Sequence, residues 1–178
     1  MTPVTTSHWR AMTAADLPAA LALADVIHPD FPEEAAVFAD RLALHPAGCF
    51  TLHGDAGAVG YVLSHPWYDG QPPQLNAVLR HPATAASTYY IHDLALLPAA
   101  RKSGAAAAIV ATLATHASAL QLHNMTLVAV NNSVHFWRRQ GFDIVVDPDL
   151  DRHLRSYDAQ ARFMRRELIQ KKRQGKTQ

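Results

Sequence analysis

The stretch that most constrains this chain is 89–120, YYIHDLALLPAARKSGAAAAIVATLATHASAL. Its apolar, β-rich start predicts a strand over 88–97. Pro98 and the basic run Arg101-Lys102-Ser103-Gly104 predict a turn. The alanine-rich run 104–120 predicts a helix, with Ile109, Val110, Leu113 and Leu120 on one stripe and alanines that permit close approach to a sheet. Strand, glycine-containing turn and helix together set free backbone N–H groups and a positive helix end beside an anion, phosphate above all. The rest of the chain is read as packing around this unit or closing a pocket over it.

In chain order, 9–12 predicts a short strand, and Thr13 with Asp16 resembles a capping box. Leu17, Leu21, Ala24 and Ile27 then recur at helical spacing until Pro29 and Pro32 interrupt. A second helix is expected over 33–44, closed by Pro46. Two β-rich runs, 49–53 and 58–63, flank Gly54-Asp55-Ala56-Gly57 and predict a hairpin. Residues 67–82 read as a long loop with one helical turn at 75–79; loops of that length tend to serve function. A doubly buried strand is expected over 125–130, a short helix over 133–140 ended by Gly141, and a strand over 142–146. Residues 147–158 read as polar and irregular, and 161–168 as a last strand. The order β α α β β β α β α β β makes one mixed α/β domain over 1–168. Residues 169–178 form a basic tail expected to fray.

The 178 residues suit one domain. Net charge is +1, which calls for neither nucleic acid nor an anionic membrane as partner. The single cysteine, Cys49, excludes an internal disulfide, implies a reducing, cytoplasmic setting, and reads as a small buried hydrophobe. The first residues lack the apolar core of a signal peptide, and no apolar run has membrane-spanning length. The eleven histidines show no HxxxH or HExxH spacing, so no metal site is expected.

The run Arg101-Lys102-Ser103-Gly104-Ala105-Ala106 resembles the acetyl-CoA signature [QR]-x-x-G-x-[GA] of the GCN5-related N-acetyltransferase (GNAT) family. The segment VNNSVHFWRRQGF, 130–142, is similar to that family's later segment, and the order of elements matches as well. The resemblance implies a mostly antiparallel, twisted sheet of six to seven strands, splayed between the fourth and fifth, with about four helices. It implies acetyl transfer from acetyl-CoA to a primary amine by direct transfer in a ternary complex. The alternative is a CoA-binding module without catalysis. The acceptor would be a small molecule or a peptide or protein amine, and dimers occur in the family. Implied cofactor residues are Leu94, Ala95 and Leu96 on the splayed strand, Arg101, Lys102, Ser103, Gly104, Ala105 and Ala106 in the turn, and Asn131, Ser133, Phe136 and Trp137 beyond the fifth strand.

Strict alternation along 88–97 places Tyr90, His92, Leu94 and Leu96 on one face, and Ile91, Asp93, Ala95 and Leu97 on the other. The resemblance implies that the backbone N–H of Leu96 polarises the thioester carbonyl. His92 is the candidate base, as in the family's arylalkylamine members, or a hydrogen-bonded structural residue. Asp93 either binds a cationic substrate or satisfies backbone groups. Trp137 stands where many members have the tyrosine that protonates the thiolate. An acid must then come from Ser133, His135, Tyr90, Tyr157 or water. Tyr61, Trp67 and Tyr68 either line an acceptor pocket or fill the core.

Overall fold

The computed structural model describes residues 7–155 and 158–169, so Tyr157 and nearly all of the basic tail lie outside the described residues. The elements are β1 (His8–Ala11), α1 (Leu17–Ile27), α2 (Ala35–Leu44), β2 (Phe50–Gly54), β3 (Gly57–Trp67), β4 (Thr88–Leu96), α3 (Ala105–Ala119), β5 (Asn124–Ala129), α4 (Val134–Arg139), β6 (Asp143–Ile144), α5 (Pro148–Leu154) and β7 (Arg162–Glu167). The strands form one sheet in the order β1-β2-β3-β4-β5-β7-β6. Every pairing is antiparallel except β4 with β5.

Helices cover both faces of the sheet. On one face α3 lays Ile109, Val110 and Leu113 onto Tyr89, Ile91, Met125 and Leu127, all at most 2% exposed. Burial of each such side chain stabilises the fold by roughly 1.5–3 kcal/mol. On the other face α1 and α2 present Ala20, Leu23 and Phe38 to Tyr61, Leu63 and Ala95. At the start of α1 the Asp16 carboxylate accepts from Thr13 N at 2.8 Å and Thr13 Oγ1 at 2.9 Å. The Arg10 guanidinium grips the same carboxylate and holds it down to about 2.

The event that opens the molecule is in β4. Leu63 pairs Asp93 and Ser64 pairs Ile91, so His92 is an extra residue in β4 with no partner in β3. A bulge bends its strand and increases the local twist. Ile91 is also the last β4 residue paired with β5, opposite Leu127. Beyond it the two parallel strands separate. The bulge also corrects the expected alternation. Leu94 packs with Tyr89 and Ile91 against the α3 cluster, while Ala95 joins Tyr61 and Leu63 beneath α1 and α2. His92 and Asp93 both turn toward the α1–α2 side, where their partners lie.

Three other expectations change. The polar stretch 147–158 contains α5, with Asp147 as N-cap accepting from Asp149 N and Leu150 N. That makes five α-helices where about four were expected. β3 runs on to Trp67. Residues 75–79 make no helical turn, because long-range partners take their backbone. Asp40 accepts from Leu79 N and Arg80 N, and Arg41 Nη2 donates to Ala77 O at 2.9 Å. These bonds, with Asn76 bridging Glu33 and Glu34 N, dock the β3–β4 loop on α2 and the residues just before it.

Candidate active site

The separation of β4 and β5 leaves a cleft of about 750 Å³. Leu97 N donates to Val59 O at 2.8 Å, so the N–H and C=O of Leu96 point the other way, into the cleft. The same holds for Leu94, two residues back. Arg101 Nε donates to Leu96 O at 3.0 Å, which leaves the Leu96 N–H as the free group. Val128 and Val130 form the opposite wall, with Phe136 and Trp137 of α4 beside them.

The expected turn closes one end. Gly104 is the N-cap of α3 at φ 83°, a left-handed torsion that favours glycine. Ser103 Oγ donates to Ala100 O at 2.8 Å and accepts from Ala105 N at 3.2 Å. One of the orphan amides expected at this helix start is therefore satisfied internally. Ala106 and Ala107 line the cleft, and as first-turn residues they have N–H groups without helical acceptors. Arg101, Lys102 and Arg139 add positive charge to the lining. Backbone donors, small residues, a helix N-terminus and three cations suit an elongated anion with an amide-bearing arm.

A small pocket of about 70 Å³ adjoins the cleft, sharing His28, Val128 and Val130 with it. Phe31, Leu75 and Tyr90 give it apolar walls. Its polar groups form two linked sets. His92 Nε2 lies 2.7 Å from Glu33 Oε1. His28 Nε2 lies 3.0 Å from Asp93 Oδ1, and the Tyr61 hydroxyl donates to Asp93 Oδ2. Burial alone would raise both carboxylates. The His28 and Tyr61 hydrogen bonds keep Asp93 below the ordinary range, and His92 with the Asn76 amide does the same for Glu33. Burial and Asp93 push the Tyr61 phenol far up, so Tyr61 remains a donor. The pocket thus carries two ionised carboxylates, opposite in sign to the cleft's cations.

Of the residues expected at the cofactor, Leu94, Ala95, Leu96, Arg101, Lys102, Gly104, Ala106, Asn131, Ser133, Phe136 and Trp137 line the cleft. Ser103 and Ala105 do not; they brace the turn behind it. His92, Asp93 and Tyr90 line the small pocket. Ser133 Oγ donates to Val130 O at 2.6 Å. Trp137 packs edge-on against Phe136 and Phe142. His135 is exposed and lines neither cavity. Tyr61 is fully buried, its ring 5.5 Å from Phe38, and reaches the site only through Asp93. Trp67 lies in a separate outer groove and donates to Gln71 O. Tyr68 hydrogen-bonds Thr84 within the exposed loop. Cys49 is buried, its thiol pushed up to about 11 by burial. His28 and Glu33 were not foreseen, because each meets its partner across 65 and 59 residues of chain. Among the described residues no cluster of three or more His, Cys, Asp or Glu could hold a metal, and no helix is long and apolar enough to cross a membrane.

No curated protein matches the chain in sequence. Solved structures do match in fold. The loading GNATL domain of CurA from Lyngbya majuscula superposes with a TM-score of 0.73 at 12% identity, over 92% of this chain and 98% of that one. Ard1 from Thermoplasma volcanium gives 0.68 at 13%, over 92% and 99%. A Mycobacterium tuberculosis protein in complex with CoA gives 0.64 at 18%, over 91% and 99%. At such identities the likeness establishes the fold. The acetyltransferase (GNAT) family model matches residues 9–142, which contain the split strands, the Gly104 turn and α4, and the chain belongs to that family.

Proposed function

We propose that the protein transfers an acetyl group from acetyl-CoA to a primary amine, directly, with both substrates bound. The observation that carries this reading is the adjacency of the two cavities, which share His28, Val128 and Val130 as walls, one cationic and backbone-lined, the other anionic. The cleft fits the polyanionic partner. Leu94 and Leu96 present an unpaired strand edge on which an extended amide arm adds like a further strand. Ala106 and Ala107 with Arg101 and Lys102 meet the phosphates, and Phe136 and Trp137 form an apolar wall. A similarly folded protein carries CoA, which supports the assignment. Acetyl-CoA supplies the activated acyl group. The Leu96 N–H is the donor placed for its carbonyl oxygen.

The acceptor end suits a protonated amine. Glu33 and Asp93 attract an ammonium group, and Phe31, Leu75 and Tyr90 give room to a small apolar body rather than a second charge. A second reading, cofactor binding without transfer, is favoured by Trp137, which offers no acidic hydroxyl. Titration calorimetry with acetyl-CoA, followed by thiol release across a panel of amines and amino-terminal peptides, separates the two. Binding with turnover is expected. Binding without turnover of any amine selects the second reading, and no binding at millimolar acetyl-CoA overturns both.

A further inference from the structure

We infer that His28, positioned by Asp93 and Tyr61, is the general base that deprotonates the acceptor amine. The inference rests on the acetyl-transfer reading and assigns a residue within it. Four side chains from four different segments form one directional chain. The Tyr61 hydroxyl, on β3, donates to Asp93 Oδ2 on β4. Asp93 Oδ1 accepts from His28 Nε2 at 3.0 Å. His28 Nδ1 faces the Asn131 side-chain amide nitrogen at 2.9 Å. An amide nitrogen only donates, so Nδ1 carries the lone pair and Nε2 the proton. The carboxylate thereby fixes the tautomer and stabilises the imidazolium once a proton arrives, the arrangement that orients a histidine base in hydrolases.

Position favours His28 over His92. His28 lines both cavities and stands at their junction, whereas His92 lines the small pocket alone. His92 Nε2 is engaged by Glu33, and its Nδ1 is buried without a hydrogen-bond partner among the described residues. The groups around His28 are Asp93 and His92 from β4, Tyr61 from β3, Glu33 after α1, Asn131 before α4 and Arg101 before α3. Burial works against charge on His28; Asp93, aided by Glu33, outweighs burial and Arg101, so its affinity for a proton rises.

The proton balance closes. The acceptor arrives as an ammonium with three protons. One passes to His28 Nδ1 as the amine displaces Asn131, and leaves to solvent. The nitrogen lone pair forms the C–N bond, the C–S bond breaks, and its electron pair stays on sulfur. A second amine proton ends on that sulfur as the CoA thiol, and the third remains on the amide.

The test combines two measurements on the full chain. The first is long-range 15N–1H NMR of histidine-labelled protein, which reads the tautomer without any substrate. An Nε2–H tautomer at His28 in the wild type is expected, redistributed in Asp93→Asn. The second is the pH profile of kcat/KM by thiol release, with the best amine from a panel of tryptamine, spermidine and amino-terminal peptides. His28→Gln is expected to lower kcat/KM about 100-fold or more and to remove the acidic limb. Acetyl-CoA affinity should stay within threefold, which also certifies the fold. His92→Gln should keep the limb. Retention of the limb and of rate within threefold in His28→Gln, loss of the limb in His92→Gln alone, or an Nδ1–H tautomer at His28 overturns the base assignment and leaves the acetyl-transfer reading standing. Binding of acetyl-CoA with no turnover of any amine overturns that reading and the base with it.

Discussion

The two sides of β4 offer a ligand different kinds of group. Toward β5 the strand offers backbone: the Leu96 N–H, the orphan amides of α3 and small residues around Gly104. Toward α1 and α2 it offers side chains, with His92 on Glu33 and Asp93 between His28 and Tyr61. Backbone donors are supplied by the fold whatever the side chains are, so the first surface tolerates drift. The second depends on named residues meeting across the chain, so single substitutions can abolish it. The difference teaches where to look for conserved binding and where to look for selectivity.

The comparison can be broken most forcefully at the cleft. Ala106→Glu places a carboxylate in the first turn of α3, against the anion, and should weaken acetyl-CoA binding about 100-fold by calorimetry. An affinity within threefold of wild type would show that the phosphates sit elsewhere. On the other side, Glu33→Gln removes one of two anionic charges while keeping its hydrogen-bonding shape. The amine KM should rise about tenfold, with acetyl-CoA affinity unchanged; coupled losses would mean that the two surfaces are not separable.

A pH prediction sharpens the contrast further. His65 lies buried on β3 against Tyr90 and Trp67, and burial holds it down to about 3. His45 is lowered too, by burial and by His116, 2.9 Å away. His65 stays neutral in the fold and takes up a proton near 6.5 once unfolded. Stability from His65 is therefore present above about pH 6.5 and lost as pH falls toward 3. His28 runs the opposite way and offsets part of the loss. Between pH 7 and 5, urea denaturation should cost the wild type about 2 kcal/mol more than His65→Gln. Equal slopes would refute the buried-neutral assignment. The smallest effect is at the turn. A Cβ on Gly104 meets nothing within 4 Å, so Gly104→Ala should cost about 1 kcal/mol from the torsion alone, read as a shift in the urea midpoint.

Legibility in the sequence follows the same division. The turn 101–106 could be read because a glycine torsion and a helix start are both local. The element order could be read because period 2 and period 3.6 are local too. The faces of β4 could not, since alternation presumes an unbroken strand and His92 breaks it. The dyads of His28 and Glu33 left no local trace, because α1 ends at Ile27 and its next residues meet β4 only in the folded sheet. α5 did leave one: Asp147-Pro148-Asp149 is an N-cap followed by proline at the first helical position. The irregular composition around it hid the signal.

The extra residue in β4 can be viewed as a metallurgist views an extra half-row of atoms. A dislocation of that kind is a property of the count, not of the chemistry, and exchanging one atom for another does not remove it. Replacing His92 by any residue leaves the nine positions of β4 to be fitted against eight in β3, 60–67; only deletion restores the match. The opening between β4 and β5 begins at that misfit. The chain can thus vary the side chains beside His92 and keep the opening next to them.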